Sequence, residues 1–151
     1  MTTITTEANS ATPDEFWGEP ISIYTRQQAI EDGVLVDVSD WAGSGPHGML
    51  GGFCVPVAMT RALWEHVDID ADDHAPWRDL ARQRGESTRG RAHDVLWMAS
   101  LAARRSPRAD RIPVGVLMTA EGSRGRLVRK TLRLEAVTDG DGVTIGFPED
   151  M

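Results

Sequence analysis

Two hydrophobic periods divide this chain. Between residues 60 and 105 apolar side chains recur every three or four positions, as in "TRALWEHV" and "VLWMASLAA", while from residue 112 onward they alternate with polar ones. The first spacing gathers apolar groups along one side of an α-helix, and the second puts them on one side of a β-strand. Helices are therefore expected over 61–67, about 76–84 and about 87–105. Thr60 can cap the first because its hydroxyl can accept from an amide of the first turn, and Pro76 suits the start of the second. The third is apolar almost all round in its middle, which predicts a central buried helix, ended by Ser106 and Pro107. Strands are expected over 112–119, 126–137 and 143–147. "DGDG" at 139–142 is a hairpin signal, because tight turns need residues that tolerate positive φ. In the middle strand Val128, Leu132 and Leu134 fall on one face while Arg129, Thr131, Arg133 and Glu135 fall on the other, so one side packs and the other is wet.

Upstream, "YTRQQAIEDGVLVDVSDWA" holds a helix start, a helix stop and a strand in nineteen residues. Thr25 can cap about two helical turns, Gly33 can close them in the left-handed conformation, and 34–38 is β-branched and apolar with Asp37 as its polar break. "WAGSGPHGMLGG" at 41–52 is rich enough in glycine to forbid a regular element, and "FCVPVAM" at 53–59 should be extended because Val55 precedes a proline. The whole predicts an α+β fold: helices in the first two thirds packed on a mostly antiparallel C-terminal β-meander, which the 34–38 strand can join.

Residues 1–15 are polar and acidic with almost nothing to bury, so a disordered tail is expected there and a single α+β domain over 16–151. A chain of 151 residues, 40% hydrophobic and 26% charged, is of ordinary globular composition. Cys54 is the one cysteine, so no internal disulfide forms, which suits a reducing cytoplasm. No basic-then-apolar leader and no apolar run of bilayer length occurs, and the protein is expected to be cytoplasmic with no membrane partner.

The net charge of −7 hides a division. Residues 1–77 carry 13 acids against Arg26 and Arg61, whereas residues 78–151 carry 10 acids against 14 bases. Such polarity points to a charged partner, with the competing reading that the two halves neutralise each other. Arg126, Arg129 and Arg133 stud the second C-terminal strand, and Arg129 and Arg133 should share a face about 14 Å apart at the extended rise per residue. Planar guanidinium forks suit phosphate and carboxylate. No aromatic residues interleave with them as base stacking requires, so direct nucleic-acid contact is possible but not favoured.

Other motifs stand in contexts that decide their meaning. "GSGPHG" matches a dinucleotide-binding glycine pattern, yet no helix opens after it to receive a pyrophosphate, and no cofactor is expected. As a loop, the segment with Trp41 and His47 is a candidate contact surface. Asp68, Asp70 and Asp72 have the first spacings of a calcium loop, but Asp73 stands where the sharp turn needs glycine and Asp79 replaces the bidentate glutamate. The favoured reading is an acidic capping connector, with Asp70 and Asp72 as a candidate acidic docking patch and no bound metal. A transition-metal site using His66, His74 and a carboxylate, with His93 as a further ligand, matches no zinc spacing. Cys54 lies in an apolar run, and no nucleophile elbow is present.

The segment "YTRQQAIEDGVLVDV" resembles an uncharacterised family of small proteins carried on phages, plasmids and related mobile elements, and "FCVPVAMTRALWEHV", "GRAHDVLWMASLA" and "FPED" are looser matches. The resemblance implies no activity. It implies a habitat, the host cell, where an accessory protein acts on host machinery, including CRISPR or restriction systems. The expectation is therefore a non-enzymatic protein that binds and inhibits a host defence or nucleic-acid-processing complex through its charged surfaces. The alternative is a small metal-dependent hydrolase with a site near Asp68, His74 and His93.

Overall fold

The computed structural model describes residues 24–43 and 53–151. The N-terminal tail, the glycine pattern "GSGPHG" after its first residue Gly43, and His47 lie outside these residues. Thr25 opens α1 (Arg26–Glu31) through a reciprocal box: its hydroxyl accepts from the Gln28 amide at 3.0 Å, and the Gln28 side chain accepts from the Thr25 amide at 2.8 Å. Gly33, at φ +78, closes the helix, as its position in the sequence predicts. β1 (Leu35–Asp37) follows, and the polar break at its end has a structural purpose. The Asp37 carboxylate accepts from the Ser39 amide at 3.0 Å and the Ser39 hydroxyl at 2.6 Å, starting the single turn α2 (Ser39–Ala42). Trp41 therefore belongs to this turn and not to the glycine-rich loop.

The apolar bridge is β2 (Val57–Thr60), and Thr60 caps α3 (Arg61–Val67) by accepting from the Leu63 amide. α4 (Pro76–Gln83) and α5 (Thr88–Arg105) complete the helices, with Ser87 capping α5. β3 (Arg111–Glu121), β4 (Leu127–Asp139) and β5 (Gly142–Gly146) form the expected antiparallel meander. The five strands run in the order β1-β2-β5-β4-β3. β2 pairs with β5 in parallel, and β1 pairs with β2 antiparallel at the far edge. The fold is α+β, with a mixed and mostly antiparallel sheet.

One sheet face carries the core. Val114, Val116 and Met118 of β3, Leu132, Leu134 and Ala136 of β4, and Val143 and Ile145 of β5 pack beneath Leu63 and Val67 of α3 and Val95, Leu96 and Ala99 of α5. Burial of this kind of surface contributes about 25 cal/mol per Å² of apolar area. α5 is not the all-round buried helix its composition predicts. It lies on one sheet face, and among the described residues no layer lies beyond it, so Trp97 is 44% and Met98 36% exposed while Val95, Leu96 and Ala99 are sealed.

At the β4–β5 turn the Asp139 carboxylate accepts from the amides of Asp141 and Gly142. Gly142 sits at φ +150, where an added Cβ would run into the carbonyl oxygen of Pro56. That oxygen accepts from the Val143 amide at 2.9 Å, so the turn is also where β5 enters the parallel pairing with β2.

Candidate functional site

The charge division resolves into structural charges and surface charges. Among the former, Arg78 and Arg91 are buried, at 7% and 3% exposure. A helix ends with carbonyls that have no partner in the helix, and α3 is finished by these arginines from outside. Arg78 donates to the carbonyl of Glu65 at 2.6 Å and that of Asp68 at 2.9 Å, and it pairs with Asp73. Arg91 donates to the carbonyl of His66, to the carbonyl and hydroxyl of Thr119 at 2.9 and 2.7 Å, and to Glu86 at 2.8 Å. Both guanidinium groups lie against the ring of Trp77, 4.7 and 5.4 Å from its centroid. Burial lowers the pKa of Arg91, and Glu86 opposes that shift. Arg82 donates to the carbonyl of Ile69 and pairs with Asp79. The basic stretch after residue 77 thus begins as internal scaffolding.

The acidic connector is scaffolding in the same sense. Asp68 accepts from the Asp70 amide at 3.0 Å and Asp73 from the Ala75 amide at 3.1 Å, which fold the loop on itself. The Thr88 hydroxyl accepts from the Ile69 amide at 3.1 Å and lies within hydrogen-bonding reach of the carboxylates of Asp68 and Asp70. Asp72 is different: its side chain is 95% exposed, with His74 3.6 Å away as its neighbour. His93 instead stacks on Trp97. Among the described residues no three His, Cys, Asp or Glu side chains gather where they could hold a metal ion.

Of the exposed bases, Arg129 and Arg133 lie on the sheet face away from α3 and α5. α1 reaches that face at its β5 end, where Arg26 donates to the Thr144 hydroxyl at 2.8 Å and the Val143 carbonyl at 2.6 Å. Beyond β5 no described element covers the middle of the β3–β4 ribbon on this face. Arg129 stands opposite Thr119, Thr131 opposite Leu117, and Arg133 opposite Gly115. Arg129, Thr131, Arg133 and Gly115 are exposed, and Leu117 is 56% exposed. Side chains directly opposite on an antiparallel pair point to the same face, so the two arginines flank Leu117. Among the described residues nothing forms an ion pair or hydrogen bond with the side chains of Arg126, Arg129 or Arg133. Arg111, on the same face, pairs with Glu135.

A groove of about 550 Å³ continues this face toward β1, with Val34, Leu35, Val137 and Met151 along it and Arg61 and Arg111 at its rim. A second cleft, of about 530 Å³, lies beside the buried arginines and is lined by Trp64, His66, Trp77 and Glu121. Burial foremost, then the cations of Lys130, Arg91 and Arg78, lowers the His66 pKa. Its ring meets Phe147 edge-on at 5.2 Å.

The sequence placed Arg129 and Arg133 on one wet face correctly, but it did not single out Leu117. The signal was present, since Leu117 is the aliphatic exception among Arg111, Pro113, Gly115, Thr119 and Glu121 at the odd positions of its strand. Trp41, read as a loop contact, is half-buried and packs against Trp64 with ring centroids 5.7 Å apart. Asp70 and Asp72 share a loop but differ in their engagement, and neither adjoins the basic residues in the strand register. Among the described residues no helix is long and apolar enough to cross a membrane.

No curated protein and no solved structure matches the chain. A family model does match, over residues 16–151, and the chain belongs to that family, described as a family of unknown function, DUF6573.

Proposed function

We propose that this protein is a non-enzymatic accessory protein of a phage or other mobile element, and that it inhibits a host defence or nucleic-acid-processing complex by docking its bare sheet face on it. The observation that carries this reading is the pair of arginines without a partner among the described residues, Arg129 and Arg133, on either side of the exposed Leu117. A flat strip with an apolar centre and cationic flanks suits a protein surface that is itself apolar and rimmed with carboxylates or bound phosphates. The resemblance of "YTRQQAIEDGVLVDV" to proteins of mobile elements supports the setting, and CRISPR and restriction complexes are the partners that setting favours.

The test uses the full chain immobilised and exposed to host lysate, with an Arg129→Glu, Arg133→Glu double variant in parallel. The expected result is a defence or nucleic-acid-processing complex that is retained by the wild type, inhibited by it, and released by the variant or by high salt. Retention that survives nuclease treatment places the contact on protein. Equal retention by a folded double variant at both salt concentrations would overturn the reading.

A further inference from the structure

The outward side of α5 has the composition of an interface. At 100° per residue, Gly90, Asp94, Trp97, Leu101 and Arg104 fall on one stripe, spaced four, three, four and three apart, opposite the buried stripe of Val95, Leu96 and Ala99. That is the spacing of a seam along which two helices pack. Trp97 is 44% and its neighbour Met98 36% exposed, Leu101 is half-buried, and one side of the Trp97 ring is already held by the stacked His93 at 6.2 Å. Nothing among the described residues covers the other side.

We propose that a second copy of this chain covers it, with the two α5 helices antiparallel about a twofold axis. The charges on the stripe select both the partner and the direction. The apolar middle has an acid on its N-terminal side, Asp94, whose side chain is 61% exposed, and a base on its C-terminal side, the exposed Arg104. An antiparallel copy centred at residue 99 sets Trp97 against Leu101 of the other chain and Asp94 against Arg104 of the other chain, and the twofold repeats both contacts. A parallel copy would set Asp94 against Asp94 and Arg104 against Arg104, which repel. The stripe is therefore complementary to itself in one direction alone, as an isologous interface requires. Gly90, without a side chain, leaves room at the end of the crossing. This interface lies on the helical side of the molecule and does not depend on the function proposed for the bare sheet face.

The experiment is sedimentation equilibrium of the full chain over a wide concentration range, with circular dichroism melts as the check on folding. Wild type should dimerise. Trp97→Glu should weaken dimerisation about tenfold or more, as loss of a central aromatic anchor does, without lowering the melting temperature of the monomer. Asp94→Arg alone opposes two arginines twice in a dimer, and Arg104→Asp alone opposes two aspartates twice, so each should be monomeric. An equimolar mixture of these two variants restores both pairs and should dimerise again. A wild type that is monomeric at every concentration overturns the proposal, as does a dimer indifferent to Trp97→Glu. Folded single variants that stay apart when mixed overturn the antiparallel register.

Discussion

Arg91 donates to the carbonyl of Thr119 at 2.9 Å and also to the carbonyl of His66, so one guanidinium ties the outer edge strand of the sheet to the last turn of α3. No other side-chain type could do this while also meeting Glu86, because the planar fork offers five donors in fixed directions. Removing it strands two carbonyls and a carboxylate. Arg91→Met should therefore cost about 3–5 kcal/mol, the range for breaking a buried pair from one side. Arg91→Lys should recover part of that at most, since one ammonium cannot reach every acceptor. Urea unfolding midpoints of the three proteins test the order.

The second expectation separates two leucines of α5 that look alike in sequence. Leu96 is fully sealed against the sheet, and Leu96→Ala should cost about 2–5 kcal/mol. Leu101 is half-buried, so Leu101→Ala should cost distinctly less in the monomer. Equal losses, measured by denaturation of dilute protein, would place Leu101 in the core after all.

These residues also mark how far the sequence could be read. Period and capping located α3, α4, α5 and the C-terminal hairpin strands, because those signals are local: Thr60, Pro76 and Ser87 stand at the helix starts, and Asp139 and Gly142 at the turn. The parallel pairing of β2 with β5 was not legible, since it joins residues more than 80 apart and leaves no mark in either segment. Composition made α5 look buried on every side, but burial depends on how many layers surround a helix. Arg78 and Arg91 counted as surface charge for a similar reason, as a count of bases cannot distinguish a solvated guanidinium from one that caps a distant helix. On the candidate face, alternation alone placed Arg129 and Arg133, and it required only that β4 keep its register.

A third expectation concerns the turn that feeds β5. At φ +150, Gly142 occupies backbone space that side-chain-bearing residues avoid, and a Cβ there meets Pro56. Gly142→Ala should destabilise by more than about 1 kcal/mol. Gly140 has open space around it, and Gly140→Ala is the control expected to cost less. Thermal melts of both compare them directly.

Protonation of His66 gives a fourth. Burial, with Lys130, Arg91 and Arg78 nearby, holds its folded pKa below the ordinary imidazole value of 6.5. The unfolded chain then takes up the proton first as pH falls, so this group's contribution is fully present above about pH 6.5 and is lost as pH drops below it toward the folded pKa. His66→Gln should flatten the dependence of stability on pH in that window while leaving the backbone acceptor of Arg91 in place. Equal slopes for the two proteins between neutral and mildly acidic pH would remove His66 as the cause.

The two charged poles make opposite demands on a partner, and the last expectation compares them on the same one. Arg129→Glu with Arg133→Glu changes exposed side chains without partners among the described residues, so the fold should lose less than about 0.5 kcal/mol. If the bare sheet face docks, this pair should weaken binding and flatten its dependence on salt, because the charges that were screened are gone. Asp70→Lys with Asp72→Lys is the counterpart on the acidic connector. Asp72 projects freely, but Asp70 lies within hydrogen-bonding reach of Thr88, so this second pair should cost some stability whatever its effect on binding. A binding loss from it must therefore be read beside a melt, and Asp72→Lys alone supplies the cleaner comparison. Affinity at two salt concentrations for all three proteins separates the cases: loss with the arginine pair alone assigns docking to the β3–β4 face, and loss with Asp72→Lys alone assigns it to the acidic connector and a basic partner surface. If every variant stays folded and binds as tightly as wild type, charge on these two poles does not hold the partner.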